Sequence, residues 1–300
     1  MIGLLLAEVR RFWSRRLLHV LAALGVLAIL VASVLLAVRS EPELDVSPEQ
    51  QAHFERRIAR CEEGKIFDQT EVPVGTTPAD LCAERIRIES FGVDDRFHLT
   101  LLADVLEWSS FALIIAAWML GASSIGAEWH AGTVSTLLTW EPRRIRVLAA
   151  KLLACGVGIF LLVVALQAIL GGAFAFVASL RGTTEGADGV WFGEVGGLAL
   201  RVAMVSSIAG AIGFAIASIG RNTAAALGVG FLYLAAIEGL IRALRPAWQP
   251  WLLGDNALLF IARDAHSIGR SPGGAGLLLA TYAAGLFVVA VALFRRRDVH

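Results

Sequence analysis

The sequence has few lysines, few cysteines and few charges, and each shortage argues against a class of protein. Only two of its 300 residues are lysines, Lys65 and Lys151, and neither lies in the Gly-Lys-Ser/Thr context of a phosphate-binding P-loop. Three cysteines are too few for a disulfide-rich scaffold or a cysteine-ligated zinc site. The 26 basic and 26 acidic residues balance, which argues against nucleic-acid binding through bulk positive charge. We therefore expect no ATPase site, no metal and no nucleic-acid partner on this chain.

Apolar residues are what the sequence has in excess. They make up 57% of the chain, whereas charged residues make up 17%, and the mean hydropathy is +0.69. A bilayer core about 30 Å thick needs roughly 20 apolar residues of helix to cross it. Stretches of that length predict six transmembrane helices, at 17–38, 100–122, 147–178, 196–219, 223–241 and 276–294. The expected fold class is an all-α membrane protein embedded in a lipid bilayer.

Basic residues near the ends of these stretches predict the orientation, because cytoplasmic segments of membrane proteins are enriched in Lys and Arg. Four arginines between Arg10 and Arg16 precede the first stretch, whereas Glu41, Glu43 and Asp45 soon follow it. With the amino terminus inside, the inner segments together carry twelve basic and four acidic residues. We expect both termini to be cytoplasmic, in a plasma membrane of the bacterial inner-membrane type.

Several segments lie outside the predicted spans. Residues 1–16 carry apolar side chains at helical spacing, which predicts an interfacial amphipathic helix. Residues 242–275 contain three prolines and an apolar piece too short to cross, so we predict an external, membrane-dipping segment. Residues 295–300 form the predicted cytoplasmic tail.

Residues 39–99 are predicted to form an external helical hairpin. Helix-start patterns begin at Ser47 and at Thr77, each with a proline at the first helical position. Cys61 would lie in the last turn of the first helix and Cys82 in the first turn of the second. A disulfide between them would stabilise the hairpin by roughly 3 kcal/mol. The alternative is a pair of free thiols.

Few polar residues lie inside the predicted spans, where each is costly unless it is paired or hydrated. Glu238 lies near the outer end of the fifth span, and Arg242 follows four residues later on the same helix face. This spacing is compatible with a structural pair at the interface and with a role in contacting substrate.

Residues 123–146 connect the second and third spans on the inner side. Thr133 can cap a short helix with Leu137, Leu138 and Trp140 on its apolar surface, and Pro142 interrupts the helix before the third span. An exposed apolar helix of this kind suits docking to a soluble partner. The alternative is an interfacial helix that only turns the chain.

This connector resembles the corresponding segment of the type-2 ABC transporter permease family, the membrane subunits of ABC exporters. The family pattern has a glutamate, then glycine-threonine, leucines, a proline followed by arginine, and a later lysine. The matching residues, in order, are Glu128, Gly132, Thr133, Leu137, Leu138, Pro142, Arg144 and Lys151. The interfacial first helix, the six spans and the arginine-rich end are also similar, so the resemblance covers the whole chain.

The resemblance implies a permease subunit that forms the translocation path with a second copy or a close paralogue. The connector, Trp140 included, would dock to a separate ATP-binding cassette subunit, which would bind ATP and Mg²⁺. Because the second and fifth spans would line the path, the candidates for cargo contact are Trp108, Phe111, Trp118, Phe231, Tyr233 and Glu238. A stand-alone secondary carrier and a membrane enzyme or anchor protein are the alternatives.

Overall fold

The computed structural model describes residues 2–40, 47–63, 82, 86, 96–133, 143–263 and 269–296, and these residues are mostly helical. The helices are α1 (Ile2–Trp13), α2 (Arg16–Arg39), α3 (Pro48–Glu62), α4 (Leu102–His130), α5 (Arg144–Arg181), α6 (Gly189–Gly220), α7 (Thr223–Leu232), α8 (Glu238–Leu244), α9 (Leu253–Ala262) and α10 (Pro272–Arg296). A π-helical turn, Tyr233–Ile237, joins α7 to α8, and a 3-10 segment, Pro246–Trp251, precedes α9.

Within the described residues, six helical segments are long and apolar enough to cross a membrane, as predicted. They are α2, α4, α5, α6, the continuous α7–α8 segment and α10. Most extend past the predicted apolar stretch; α4, for example, continues to His130. Hydropathy locates the part of a helix that fits hydrocarbon, whereas backbone hydrogen bonding continues into the polar flanks. The fold is that of an all-α protein compatible with multiple membrane crossings.

Residues 1–29, 101–172 and 187–300 form one compact unit, in which α4 packs most extensively against α6. The two backbones approach closely. A Cβ atom added at Gly121 of α4 would overlap the carbonyl oxygen of Gly210 in α6. One added at Gly213 would lie 2.6 Å from the carbonyl oxygen of Trp118. Glycine allows this close helix packing, which membrane proteins use where large side chains would hold the helices apart.

Helix α1 belongs to the same unit, and the side that it buries is not purely apolar. Phe12 is buried, and its ring lies against Gly158 of α5, where any Cβ atom would overlap it. Leu6 and Trp13 on the opposite side are exposed. Glu8 lies on the buried side with Phe12, so the helix brings a carboxylate into the packed interior.

Residues 30–100 and 173–186 form a second compact unit. It contains two short parallel strands, β1 (Phe97–His98) and β2 (Gly182–Thr183), with Phe97 opposite Gly182. The Phe97 ring meets Phe174 edge to face, with the ring centroids 5.4 Å apart. A side chain at position 182 would overlap the Phe97 carbonyl oxygen, which explains the glycine.

Helix α3 of the second unit begins at the predicted capping box. The Ser47 amide donates to Gln50 Oε1 at 2.8 Å, and the Gln50 amide donates to Ser47 Oγ at 3.3 Å. Cys61 near the end of α3 forms a disulfide with Cys82, with Cα atoms 5.9 Å apart, in agreement with the predicted pair. Phe54 packs against the bonded cysteines. Apart from Cys82 and Ile86, the predicted second helix of the hairpin lies outside the described residues.

Candidate functional site

Four charged side chains meet where α1, α4 and α5 converge, and we call them the ion cluster: Glu8, Arg15, Glu128 and Lys151. Lys151 Nζ lies 2.8 Å from Glu8 Oε2 and 2.7 Å from Glu128 Oε2. Arg15 Nη2 lies 2.8 Å from Glu128 Oε1. The two cations and two carboxylates alternate, so every charge in the ion cluster has an opposite charge within hydrogen-bonding distance.

Two members of the ion cluster, Lys151 and Glu8, are buried, and the other two, Arg15 and Glu128, are partly buried. Lys151 is 5% exposed and Glu8 is 4% exposed. Arg15 also donates to the carbonyl oxygens of Ser123 and Ser124, at 3.1 and 2.6 Å. Buried charges are tolerated when they are paired in this way, and removal of one partner is strongly unfavourable. The cluster therefore holds α1, the carboxyl end of α4 and the amino end of α5 together.

The connector between α4 and α5 is flanked directly by this cluster. Gly132 has a positive φ of 68°, a conformation that favours glycine, and it ends α4. The Thr133 hydroxyl donates to the Glu128 carbonyl oxygen at 3.3 Å. Arg144, at the start of α5, donates to the Phe294 carbonyl oxygen of α10 at 3.1 Å. The remaining predicted docking residues lie outside the described residues: Leu137, Leu138, Trp140 and Pro142.

A second candidate region is a cavity of about 270 Å³ between α4, α6, the α7–α8 segment, α9 and α10, which we call the Glu238 cavity. Its walls are mainly apolar. Four of the six residues predicted to contact cargo line it: Phe111, Trp118, Tyr233 and Glu238. The other two, Trp108 and Phe231, are 85% and 76% exposed and do not line it. The structure thus brings together most of the predicted path residues.

The polar end of the Glu238 cavity is formed by the first turn of α9. The Gly254 amide donates to Glu238 Oε1 at 2.7 Å, and the Leu253 amide donates to the Tyr233 hydroxyl at 3.2 Å. Amides in the first turn of a helix have no partner within the helix, so a carboxylate placed there is favourable. A Cβ atom at position 254 would overlap the Glu238 carboxylate, which explains the glycine.

Arg242 does not pair mainly with Glu238, although the two are four residues apart. Arg242 Nη2 lies 3.7 Å from Glu238 Oε2 but 2.8 Å from Asp255 Oδ1. Arg242 Nε adds a 3.4 Å contact to the other Asp255 oxygen. The sequence spacing identified the Glu238–Arg242 proximity but not the closer partner, because Asp255 lies on α9.

Helix α9 is also held at its other end. Arg201 of α6 donates to the Ile261 carbonyl oxygen at 2.9 Å, which places a cation at the carboxyl end of the helix dipole. The buried Asn256 side chain donates to the carbonyl oxygens of Pro250 and Leu252, at 3.0 and 2.7 Å. The predicted membrane-dipping segment therefore contains a helix that is fixed against the spans.

The π-helical turn is a further feature of this site that the sequence does not predict. It spans Tyr233–Ile237 and is followed directly by Glu238. A π-turn adds one residue to the helical repeat and rotates the next turn of the helix about its axis, and such turns are frequent at functional sites. The stretch contains no proline or glycine, so no local residue pattern indicates it.

Among the residues that the structure describes, no group of three His, Cys, Asp or Glu side chains is placed to hold a metal ion. No protein-family model matches this chain, and no curated protein matches it in sequence. The ion cluster and the Glu238 cavity are therefore the basis for a functional assignment.

Proposed function

We propose that this chain is the membrane-spanning subunit of an exporter driven by a separate ATP-binding cassette subunit. ATP and Mg²⁺ would bind to that partner, and a second copy of the chain or a close paralogue would complete the translocation path. The proposed location is a bacterial-type inner membrane, with both termini in the cytoplasm. The observation that carries the proposal is the ion cluster, which ties the two flanks of the connector, in α4 and α5, to each other and to α1.

The ion cluster supports coupling because of where the connector leaves and re-enters the bundle. Glu128 lies in the last turn of α4, two residues before its end, and Lys151 lies about two turns after the start of α5. Their 2.7 Å ion pair closes the base of the connector. A push on the connector would therefore move α4 and α5 as one body with α1. Coupling between distant sites is carried by rigid contacts of this type or by a structural element that can adopt two conformations.

The Glu238 cavity supports transport as the activity that is coupled. Ionisable groups inside membrane spans are costly and commonly mark substrate pathways. Here Glu238 is 4% exposed and lines a cavity together with the aromatic side chains of Phe111, Trp118 and Tyr233. α4 contributes Phe111 and Trp118 to this cavity and Glu128 to the ion cluster. Helix α4 thus connects the ion cluster, where we propose that ATP hydrolysis is coupled, to the proposed translocation path.

The test is ATP hydrolysis in proteoliposomes that contain the full chain and the ATP-binding subunit purified with it. Addition of the chain is expected to stimulate hydrolysis. Glu128→Gln removes one charge from the ion cluster and should lower that stimulation by at least about fivefold, the lower end of the usual range of coupling factors. Glu194→Gln makes the same charge change at an exposed position of α6 and should leave the stimulation unchanged.

The outcome that contradicts the proposal is equally specific. ATP hydrolysis that does not depend on the chain would reject the coupled subunit. Undiminished transport in proteoliposomes without ATP would reject it as well. Size-exclusion elution of each variant shows whether the variant is folded, so that a loss of coupling is not mistaken for a loss of structure.

A stand-alone, ion-coupled carrier is the second candidate, and Glu238 is the observation that favours it. A buried carboxylate beside a membrane cavity is a common proton- or ion-coupling group. This candidate predicts transport driven by an imposed proton or sodium gradient, with no ATP and no second subunit. The proteoliposome experiment separates the two candidates directly.

A further inference from the structure

The charges at the polar end of the Glu238 cavity do not cancel. Glu238, Arg242 and Asp255 meet there, as two acids and one base. Arg242 contacts both carboxylate oxygens of Asp255, whereas it is 3.7 Å from Glu238. The positive charge of Arg242 is therefore used mainly by Asp255. One negative charge is left in excess, and it is centred on Glu238.

Glu238 has hydrogen-bond partners but no cation at short distance. Only 4% of the residue is exposed, the Gly254 amide donates to it at 2.7 Å, the Tyr233 hydroxyl interacts with it, and the nearest described cation, Arg242, is 3.7 Å away. A carboxylate offers about four acceptor positions. Burial of a charge is unfavourable unless it is paired and hydrogen-bonded. Arg242 places its positive charge next to Asp255. A cation that entered the cavity would place one next to Glu238.

The walls of the Glu238 cavity suit a cation that carries apolar groups. Phe111, Trp118 and Tyr233 present aromatic rings to it, and Ile208, Ile212 and Leu258 add aliphatic surface. Aromatic faces attract cations, most strongly when water is excluded. The volume of about 270 Å³ falls just below the usual range for drug-sized ligands. The occupant is therefore small.

We propose that the Glu238 cavity binds a small lipophilic organic cation, with Glu238 facing its charge and the aromatic walls facing its apolar part. This inference rests on the proposed transport function and names the substrate class for it. An anion would meet the excess negative charge. A neutral apolar ligand would fill the volume but leave Glu238 uncompensated.

The test is equilibrium binding to the full chain in nanodiscs of zwitterionic phosphatidylcholine, measured by isothermal titration calorimetry. The probe is benzyltriethylammonium, and the matched neutral ligand of similar size is N,N-diethylbenzamide. The cation should bind at least about tenfold more tightly than the amide, because a charge pair in a partly dry site is much stronger than one in water. Equal affinities would overturn the proposal.

Three variants locate the site. Glu238→Gln keeps an oxygen acceptor for the Gly254 amide but removes the charge, so cation affinity should fall about tenfold while amide affinity stays. Ala257→Phe fills the cavity from α9 and should abolish binding of both ligands. Glu194→Gln, the exposed control on α6, should change neither. Cation affinity unchanged in both Glu238→Gln and Ala257→Phe would overturn the proposal.

A further variant keeps the proposal testable if Glu238→Gln does not fold. Phe111→Leu replaces an exposed aromatic residue of the cavity wall and leaves the polar end intact. It should weaken cation binding several-fold by loss of a cation–π contact, and it should hardly affect the amide. Equal weakening of both ligands would count against the proposal.

The binding measurement is independent of the ATP-binding subunit. Cation binding without ATP coupling would therefore contradict the proposed function and leave this inference standing. ATP coupling without selective cation binding would contradict this inference alone.

Discussion

The ion cluster and the Glu238 cavity both contain a buried carboxylate, but the carboxylates differ in how they are paired. In the ion cluster, Glu8 and Glu128 share one lysine at 2.8 and 2.7 Å, and Glu128 also meets Arg15. In the cavity, Glu238 accepts a backbone amide and is 3.7 Å from its nearest described cation. The first arrangement is complete without any other molecule, whereas the second leaves room and charge for one.

This difference separates structural charges from charges that are available to a ligand. Complete pairing fixes neighbouring helices, because a change at any member exposes a buried charge. Where pairing is incomplete beside a cavity, the unfavourable free energy of burying the charge remains until a ligand binds and compensates it. We therefore assign mechanical coupling to the ion cluster and ligand recognition to the Glu238 cavity. Single substitutions test whether the two regions differ in this way.

The largest expected effect is that of Lys151→Met. This change removes the cation between the buried Glu8 and the partly buried Glu128 and leaves each short of a partner. Breaking a buried pair by removal of one side costs about 3 to 5 kcal/mol. Thermal unfolding in nanodiscs should show a large fall in the midpoint temperature.

Arg146→Met is the matched control, because Arg146 is a base on the same helix with an exposed side chain. It should change the midpoint little. Similar midpoints for the two variants would show that the ion cluster does not stabilise the bundle, and the contrast with the cavity would then fail.

The sequence singled out two members of the ion cluster but not their pairing, and it placed Glu128 among the residues that dock to the partner, whereas Glu128 pairs with Arg15 and Lys151. Glu128 and Lys151 belong to the motif that carries the family resemblance, which marked them as residues of the connector region. Their partners were not predictable from the pattern. Glu8 is 143 residues from Lys151, and Arg15 is 113 residues from Glu128. Periodicity shows which face of α1 is apolar, but it does not show which helix that face contacts.

The second prediction is smaller and concerns Glu238→Leu. The change removes the acceptor of the Gly254 amide and leaves the first turn of α9 without that bond. A buried donor left unsatisfied costs about 1 to 3 kcal/mol. Thermal unfolding should therefore show a smaller loss than for Lys151→Met. A loss as large as that of Lys151→Met would place Glu238 among the structural charges.

The cavity shows a similar limit on prediction from sequence. The sequence does not distinguish three aromatic residues of α4, Trp108, Phe111 and Trp118, since all three fall on one side of the helix. Of these three, only Phe111 and Trp118 line the cavity. The cavity wall is completed by α9 and by the π-turn after α7, which shifts the helical repeat just before Glu238. Neither element is predictable from the apolar pattern of the spans.

The third prediction alters the cavity wall and leaves its charges in place. A Cβ atom at Gly230 would lie 2.5 to 2.7 Å from the Trp118 indole, so Gly230→Ala must displace that ring. Displacement breaks the 3.2 Å hydrogen bond from Trp118 Nε1 to the Ala226 carbonyl oxygen, at a cost of about 0.5 to 1.5 kcal/mol. Thermal unfolding measures this loss. Gly228→Ala, with open space around position 228, should be neutral or slightly stabilising.

The smallest expected effect comes from Arg11, which sharpens the contrast within the ion cluster itself. Arg11 Nη1 lies 3.2 Å from Glu8 Oε1, but its side chain is 53% exposed. An exposed pair on one helix face contributes about 0.5 kcal/mol or less, since water already solvates the cation. Arg11→Gln should therefore hardly change the unfolding midpoint, because Glu8 keeps the buried Lys151. A loss approaching that of Lys151→Met would mean that burial does not decide which charges hold the bundle.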